Sequence, residues 1–331
     1  MKKVVYFLVV SMALYGCKAF KPSADLDHFS TYFVGKNEKY TTANGQLNVT
    51  FFGTSTLLFD DGQTQIIVDG FFSRPKASKV IFGKLRSDKK LMSELVEKYD
   101  LQRLKGVFVC HSHYDHAMDA PLLSKQTGAV LYGSFSTLNL GKGEHLPDSA
   151  MRLYTIGEKT QIGNFTVTIL NSKHTPPFKI LGKSNATDPA HPDIEEPLHQ
   201  PTKVKHYIEG GTYDVYIEYG AKRVLVKAST NYIPNALVDY PCDVLFLGTA
   251  MLGIMPDSFQ QQYYKETVKT TGAKTVIPIH WDNFMKPLKN PLIPLPNISD
   301  NVGAGFEFLI NKTKTDSVQF KLMQSKTSIE L

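Results

Sequence analysis

The chain has 331 residues, of which 42% are hydrophobic and 21% are charged. This composition is typical of a globular protein and excludes disorder over most of the chain, and a chain of this length can bury a sizeable core without disulfide bonds. The formal net charge is only +6, and the scattered basic residues argue against a nucleic-acid partner.

The N-terminus, residues 1–17, has the pattern of a signal segment. Two lysines precede an apolar run over residues 4–14, which is too short to span a bilayer. A small residue followed by Cys17 resembles the lipobox of bacterial lipoproteins. The resemblance implies a lipid-anchored protein of the cell envelope, facing the periplasm or the exterior, held to the membrane through Cys17. The alternative is an ordinary signal peptide with an incidental cysteine.

Residues 18–45 are polar and lack a clear period. We therefore predict a tether over residues 18–45 that holds a domain over residues 46–331 off the membrane. Two cysteines remain in that domain, Cys110 and Cys242. They could pair with each other, or each could serve as a small buried hydrophobe in a strand.

The first half of the domain reads as strands followed by α/β units. A strand is predicted over residues 47–52, and two more, over 56–59 and 65–68, flank a hairpin turn. Helical spacing of apolar residues covers 87–99. The next strand, over 106–110, runs directly into His111.

The rest of the domain continues these α/β units and then repeats the order. The predicted helices cover residues 120–127 and 259–271, each followed by a glycine that can end it. The predicted strands cover residues 129–132, 165–170, 213–218, 223–227, 243–247 and 274–279. Residues 175–206 lack regular pattern, and a loop of this length is usually functional or mobile. This order favours two packed sheets with helices outside, in one domain.

The segment from His111 to His116, His-Ser-His-Tyr-Asp-His, contains four metal-ligating side chains in six residues. His111 and His113 share a face in an extended continuation of the strand. A turn after Tyr114 then brings Asp115 and His116 alongside. Imidazole and carboxylate ligands suit zinc where no thiolate is available, so the segment predicts a metal site.

This segment resembles the H-x-H-x-D-H signature of the metallo-β-lactamase superfamily, and the resemblance extends from about Leu47 to about Leu288. It implies a four-layer αββα sandwich. It also implies that His174 and His280 complete the ligand set and that Asp69 hydrogen-bonds a ligating histidine. The strings around Asp69, His111 and His280 are most similar to the branch that contains N-acyl-phosphatidylethanolamine phospholipase D and the ascorbate-phosphate lactonases.

One position departs from that family pattern. Ser229 stands where the family has an aspartate that bridges two metals, and a hydroxyl cannot offset the repulsion of two dications about 3.5–4 Å apart. His111, His113 and His174 would still bind one ion, and Asp115, His116 and His280 another. We therefore predict one tightly bound zinc, with the second site weaker, differently ligated or empty.

These residues predict a hydrolase that uses zinc-activated water on an ester, lactone, amide or phosphodiester bond of a small-molecule or lipid-like substrate. Asp115 would orient the water and carry a proton to the leaving group. Two alternatives remain open: a metal-binding protein with little or no catalysis, and oxygen or nitric-oxide chemistry at two irons. His191 and His199, in the long loop, could also reach the site.

Overall fold

The computed structural model describes residues 18–35, 42–177, 179–180, 183–184, 192–288 and 291–331. Within them, two seven-stranded mixed sheets pack face to face. The first sheet contains, in spatial order, Thr327–Glu330, Asn48–Phe51, Leu57–Asp60, Gln65–Val68, Leu104–Phe108, Val130–Gly133 and Met151–Leu153. The second contains Gln319–Phe320, Thr275–Ile279, Val244–Gly248, Lys222–Lys227, Tyr213–Tyr219, Phe165–Asn171 and Lys159–Ile162.

Each sheet has one antiparallel half and one parallel half. In the first sheet Gln65–Val68 pairs antiparallel with Leu57–Asp60 and parallel with Leu104–Phe108. In the second, Lys222–Lys227 is the corresponding strand. The predicted repetition of β-rich segments followed by α/β units is therefore confirmed. Two-stranded pairings join Phe33–Val34 to Leu322–Met323 and Lys179–Ile180 to Lys183–Ser184.

Helices cover the outer faces of both sheets. The α-helices are Ala77–Phe82, Lys89–Lys98, Tyr114–Ala117, Ala120–Thr127, Phe135–Gly143, Asp257–Tyr264 and Val302–Thr315, and a π-helical turn, Lys265–Lys269, extends the sixth. Short 3₁₀ turns are Leu26–Tyr32, Leu101–Arg103, Asp148–Ala150, Val204–His206 and Leu252–Ile254. None of the described helices is long and apolar enough to cross a membrane.

Neighbouring residues of one strand show why the layers stack in this way. Ile66 and Ile67 are both fully buried, but Ile66 packs in the core between the sheets. Ile67 packs in a second core with Met92 and Leu95 of the helix Lys89–Lys98. Because successive strand side chains point to opposite faces, a sheet covered on both sides needs apolar residues at every position. The αββα sandwich predicted from the sequence is confirmed.

The start of the described chain lies against the domain. Phe29 is buried, and its ring lies 5.3 Å from that of Phe306 in an edge-to-face contact. The backbone of Ile298 donates to the carbonyl of Ala19 at 2.8 Å. The first part of the predicted tether over residues 18–45 therefore packs on the domain and does not extend away from it. Phe29 is an aromatic residue within this polar stretch, and burial of its ring stabilises the contact. Cys17 and the signal segment lie outside the described residues.

The two cysteines of the domain do not pair. Cys110 and Cys242 are both buried free thiols. Burial raises the pKa of Cys242 to about 11 and raises that of Cys110 as well. Each therefore serves as a small apolar core residue, which was one of the two predictions for this pair.

Candidate metal centre

Four of the six predicted ligands are carried by the turn that follows the strand Leu104–Phe108. His113 precedes the short helix Tyr114–Ala117, and its carbonyl accepts from the backbone of His116 at 3.1 Å. This helical turn brings Asp115 and His116 back toward His111, as the sequence predicts. His111, Asp115 and His116 are all buried.

His174 and His280 arrive from the second sheet. His174 follows Phe165–Asn171, and the side chain of Asn231 donates to its carbonyl at 2.7 Å. His280 follows Thr275–Ile279 with φ at +60°. Both lie just past carboxyl ends of strands, which is where sheets of this kind form their sites.

The six predicted residues form two groups of three. His111, His113 and His174 make one group, and Asp115, His116 and His280 make the other, with the ligand atoms of each group within 4.8 Å of one another. In the second group, Nε2 of His280 lies 3.1 Å from Nε2 of His116 and 3.4 Å from a carboxylate oxygen of Asp115. The grouping is the one that the family resemblance implies.

Unsatisfied nitrogen atoms show that a cation fits here. Within the described part of the chain, both ring nitrogens of His111 and Nδ1 of His280 are buried without a hydrogen-bond partner. Buried polar atoms normally have partners, and a divalent metal would supply one. Histidine and carboxylate ligands in groups of three suit a catalytic zinc.

Burial also keeps the imidazoles of His111 and His113 neutral, which is the form that binds a metal. Desolvation lowers the pKa of His113 to about 3 and lowers that of His111 well below its ordinary value. For Asp115, burial opposes the charged form, but the imidazoles of His116 and His280 outweigh it and keep the carboxyl pKa below its usual range. Neutral imidazole and ionised carboxylate are the species that bind a metal.

Asp69 contacts the ring nitrogen of His116 that does not face the other predicted ligands. Its Oδ2 lies 2.7 Å from Nδ1 of His116, and its Oδ1 accepts from the backbone of Cys110 at 2.7 Å. Ser55 Oγ also bonds Oδ2 of this carboxylate. This arrangement leaves Nε2 of His116 free to face the site, which is the role that the resemblance implies for Asp69.

Ser229 lies in a segment whose neighbouring residues contact the chain around His174. It is buried just past the strand Lys222–Lys227, and the backbone of its neighbour Thr230 donates to Thr175 Oγ1 at 3.0 Å. Buried Lys227 donates to Ser172 Oγ, two residues before His174, at 2.8 Å. These contacts support the alignment of this strand, and Asp115 is the only carboxylate in either described group.

A buried ion pair, which the sequence did not indicate, supports the backbone at His280. Arg74 Nη1 lies 2.6 Å from Asp282 Oδ2, and both side chains are almost fully buried. Asp282 Oδ1 accepts from the backbone of Thr54, whose carbonyl accepts from the backbone of His280 at 2.6 Å. Arg74 and Asp282 lie 208 positions apart, so only the fold could reveal the pair.

No other described histidine belongs to either group of three. Nδ1 of His199 donates to the carbonyl of Gly143 at 2.9 Å, and its ring lies 5.4 Å from that of His145, whereas His206 is exposed. His191 lies outside the described residues. Trp281 and Tyr114 are buried and pack in the core between the sheets and in the second core, respectively.

The family model described as Metallo-beta-lactamase superfamily matches residues 49–280. A protein of Heliobacterium modesticaldum named metal-dependent hydrolase is 34% identical over 89 residues, which are 27% of this chain and 30% of that protein. A protein of Myxococcus xanthus with the same name is 27% identical over 143 residues, 43% of this chain and 44% of that protein. The chain thus spans less than half the length of these curated relatives.

The fold is also found among solved structures. The metallo-beta-lactamase fold protein YhfI from Bacillus subtilis superposes with a TM-score of 0.52 at 16% identity, over 86% of this chain and 100% of that chain. At this identity the likeness shows the fold alone.

Proposed function

The chain belongs to the metallo-beta-lactamase superfamily, and from this membership we propose that it is a metal-dependent hydrolase that cleaves an ester, lactone, amide or phosphodiester bond. The observation that carries the proposal is the convergence of six ligands into two adjacent groups of three. Three protein ligands leave a coordination position open for chemistry, whereas closed structural sites use four. The curated relatives named metal-dependent hydrolase support the reaction class.

Each residue of the site has its own role in the proposed reaction. Zinc, when bound, supplies Lewis acidity, which lowers the pKa of water toward ~7 and stabilises negative charge on the substrate. His111, His113 and His174 would hold the first ion. Asp115, whose side chain is 12% exposed, would accept a hydrogen bond from the attacking water and pass a proton to the leaving group. Asp69 fixes the orientation of His116.

The substrate class and the cellular location are further parts of this proposal. The similarity of the strings around Asp69, His111 and His280 to the phospholipase and lactonase branch favours a small-molecule or lipid-like substrate. Acylation of Cys17 would hold the enzyme at the cell envelope. Because Asn297 donates to the carbonyl of Lys18 at 3.1 Å, a lipid on the preceding residue would keep the domain close to the bilayer.

The test removes metal from the purified protein with a chelator, restores zinc, and measures hydrolysis of chromogenic esters, lactones, amides and phosphodiesters. Activity should disappear and return with zinc. His113→Ala should lower it at least ~100-fold, whereas the exposed His206→Ala should have no effect. Chelator-resistant activity, or normal activity in His113→Ala, would contradict the proposal.

Two other outcomes separate the alternatives. Full metal content with no turnover on any substrate would favour a binding protein. Copurified iron with a visible absorption band would favour two-iron redox chemistry.

A further inference from the structure

Residues 76–90, called here the basic patch, have a net positive charge almost as large as that of the whole chain. They contain one acidic residue, Asp88, and six basic residues: Lys76, Lys79, Lys84, Arg86, Lys89 and Lys90. The segment therefore carries a net charge of +5, whereas the whole chain carries +6. All six basic residues are exposed. The basic residues are thus less evenly scattered than the composition suggests.

Two large apolar side chains project from the middle of the basic patch. Ile81 is 64% exposed and Phe82 is 83% exposed, at the end of the helix Ala77–Phe82. Val80, between them and Lys79, is buried and anchors the helix to the core. Adjacent exposed apolar residues within a rim of charge mark an interaction surface.

The basic patch is rigidly attached to the site region. Leu85 forms backbone hydrogen bonds in both directions with Thr202, at 2.6 and 3.0 Å. Ser87 Oγ donates to the carbonyl of Met118 at 2.9 Å, two residues after His116. On the other side, the segment begins just past Arg74, which is paired with Asp282. The exposed helix is therefore presented at a fixed orientation and not on a loose loop.

We propose that the basic patch binds the surface of an anionic phospholipid bilayer, with Ile81 and Phe82 inserted between headgroups and the lysines against lipid phosphates. Membrane-surface helices combine apolar residues on one side with lysine and arginine on the other. Each basic residue near such a surface strengthens binding about fivefold. A cleft of about 540 Å³ is open to headgroups, and its lining includes one acidic residue, Asp88, and five basic residues, Lys79, Lys84, Arg86, Lys89 and Lys90.

The apolar pair favours a membrane over a nucleic acid. Non-specific nucleic-acid binding rests on contacts with phosphates and does not need exposed isoleucine and phenylalanine side by side. Membrane binding uses both features together. The proposal requires neither acylation of Cys17 nor catalytic activity, so its failure would leave the proposed function untouched.

The test is co-sedimentation of the unacylated chain from Lys18 onward, which contains every described helix and strand, with two kinds of vesicle. Vesicles rich in phosphatidylglycerol should bind it, pure phosphatidylcholine vesicles should bind it at least tenfold more weakly, and added salt should weaken binding. Lys79→Glu with Lys84→Glu should reduce binding tenfold or more. The matched pair Lys222→Glu with Lys265→Glu, which removes the same charge from other exposed positions, should reduce it much less.

A second set of variants tests the apolar pair. Phe82→Ser should weaken binding, whereas Leu153→Ser, at another exposed position (58%), should not. The Phe82→Trp variant should shift its emission to shorter wavelength on anionic vesicles and be quenched by brominated lipid. The native Trp281 is fully buried and gives a constant background.

Four results would overturn the proposal. They are equal binding to both kinds of vesicle, full binding of the doubly substituted Lys79 and Lys84 variant, emission of the Phe82→Trp variant that vesicles leave unchanged, and tight duplex DNA binding without vesicle binding.

Discussion

Asp69 Oδ2 lies 2.7 Å from Nδ1 of His116, and the other oxygen of the same carboxylate accepts from the backbone of Cys110. Asp69 adopts φ of +56°, a conformation that costs free energy in a residue with a side chain and is found at functional sites. One carboxylate thus fixes the ring of a ligand and the backbone that leads into His111.

Asp69→Ala should lower the affinity of the group Asp115, His116 and His280 for zinc about 10–100-fold, because removal of a partner behind a ligating histidine typically has this effect. The measurement is a competition titration with a chromophoric chelator. Asp239→Ala, at an exposed position, is the control. Unchanged affinity in Asp69→Ala would show that His116 does not need this carboxylate or does not bind the metal.

Ser229→Asp should raise the affinity for a second metal. The wild-type protein should hold closer to one tightly bound zinc than two, because Ser229 supplies no carboxylate to offset the repulsion between two ions. Metal content after exhaustive dialysis checks both statements. Two equally tight ions in the wild type would refute the first, and unchanged stoichiometry in the variant would refute the placement of Ser229.

Arg74→Met should destabilise the fold by about 3–5 kcal/mol, because it leaves the buried carboxylate of Asp282 without its charged partner. The matched control is Glu94→Ala, which removes the exposed pair with Lys90 and should cost about 0–1 kcal/mol. Denaturant titration of both proteins gives the free energies of unfolding. Equal effects would show that the Arg74–Asp282 pair does not brace the fold.

The metal-free protein should lose stability as pH falls from about 6.5. Burial lowers the folded-state pKa of His113 to about 3 and lowers that of His111, whereas both titrate near 6.5 when unfolded. Below that pH these two histidines bind protons in the unfolded chain but not in the folded chain, so the free energy of unfolding decreases. For His116, burial opposes the charged form, but Asp69 and Asp115 outweigh it and raise the pKa. Its contribution to stability is therefore already complete near pH 6.5 and does not change as the pH falls further.

His113→Asn should make that pH dependence shallower, by up to about 1.4 kcal/mol per pH unit, and the exposed His206→Asn should not. Denaturant titrations of metal-free protein at roughly pH 7 and pH 5 provide the comparison. Identical slopes in all three proteins would contradict the burial of a neutral His113.

The sequence predicted the site best where the ligands lie close together in one short segment of the chain. The segment His111–His116 predicts its own geometry, because ligand spacing along a strand end and one helical turn is a local property. The strand ends that carry His174 and His280 could be assigned through the family resemblance. The pairing of Arg74 with Asp282 joins residues far apart in the chain, so neither pattern nor spacing could indicate it.

Other features escaped prediction for different physical reasons. Ala77–Phe82 is only six residues long, and a helix of that length shows too little period to be recognised. The strand Thr327–Glu330 joins Asn48–Phe51 from the opposite end of the chain, and such a partner is set by tertiary packing. The packing of Phe29 on Phe306 likewise depends on a helix near the C-terminus.

The central claim is that His111, His113 and His174 bind a catalytic metal. An anomalous difference map recorded across the zinc absorption edge, from crystals of the zinc-loaded protein, tests it most directly. We predict a peak about 2.0–2.1 Å from one ring nitrogen of each of these three histidines. Zinc-loaded crystals with no peak among them, or with the peak at some other part of the protein, would contradict the claim.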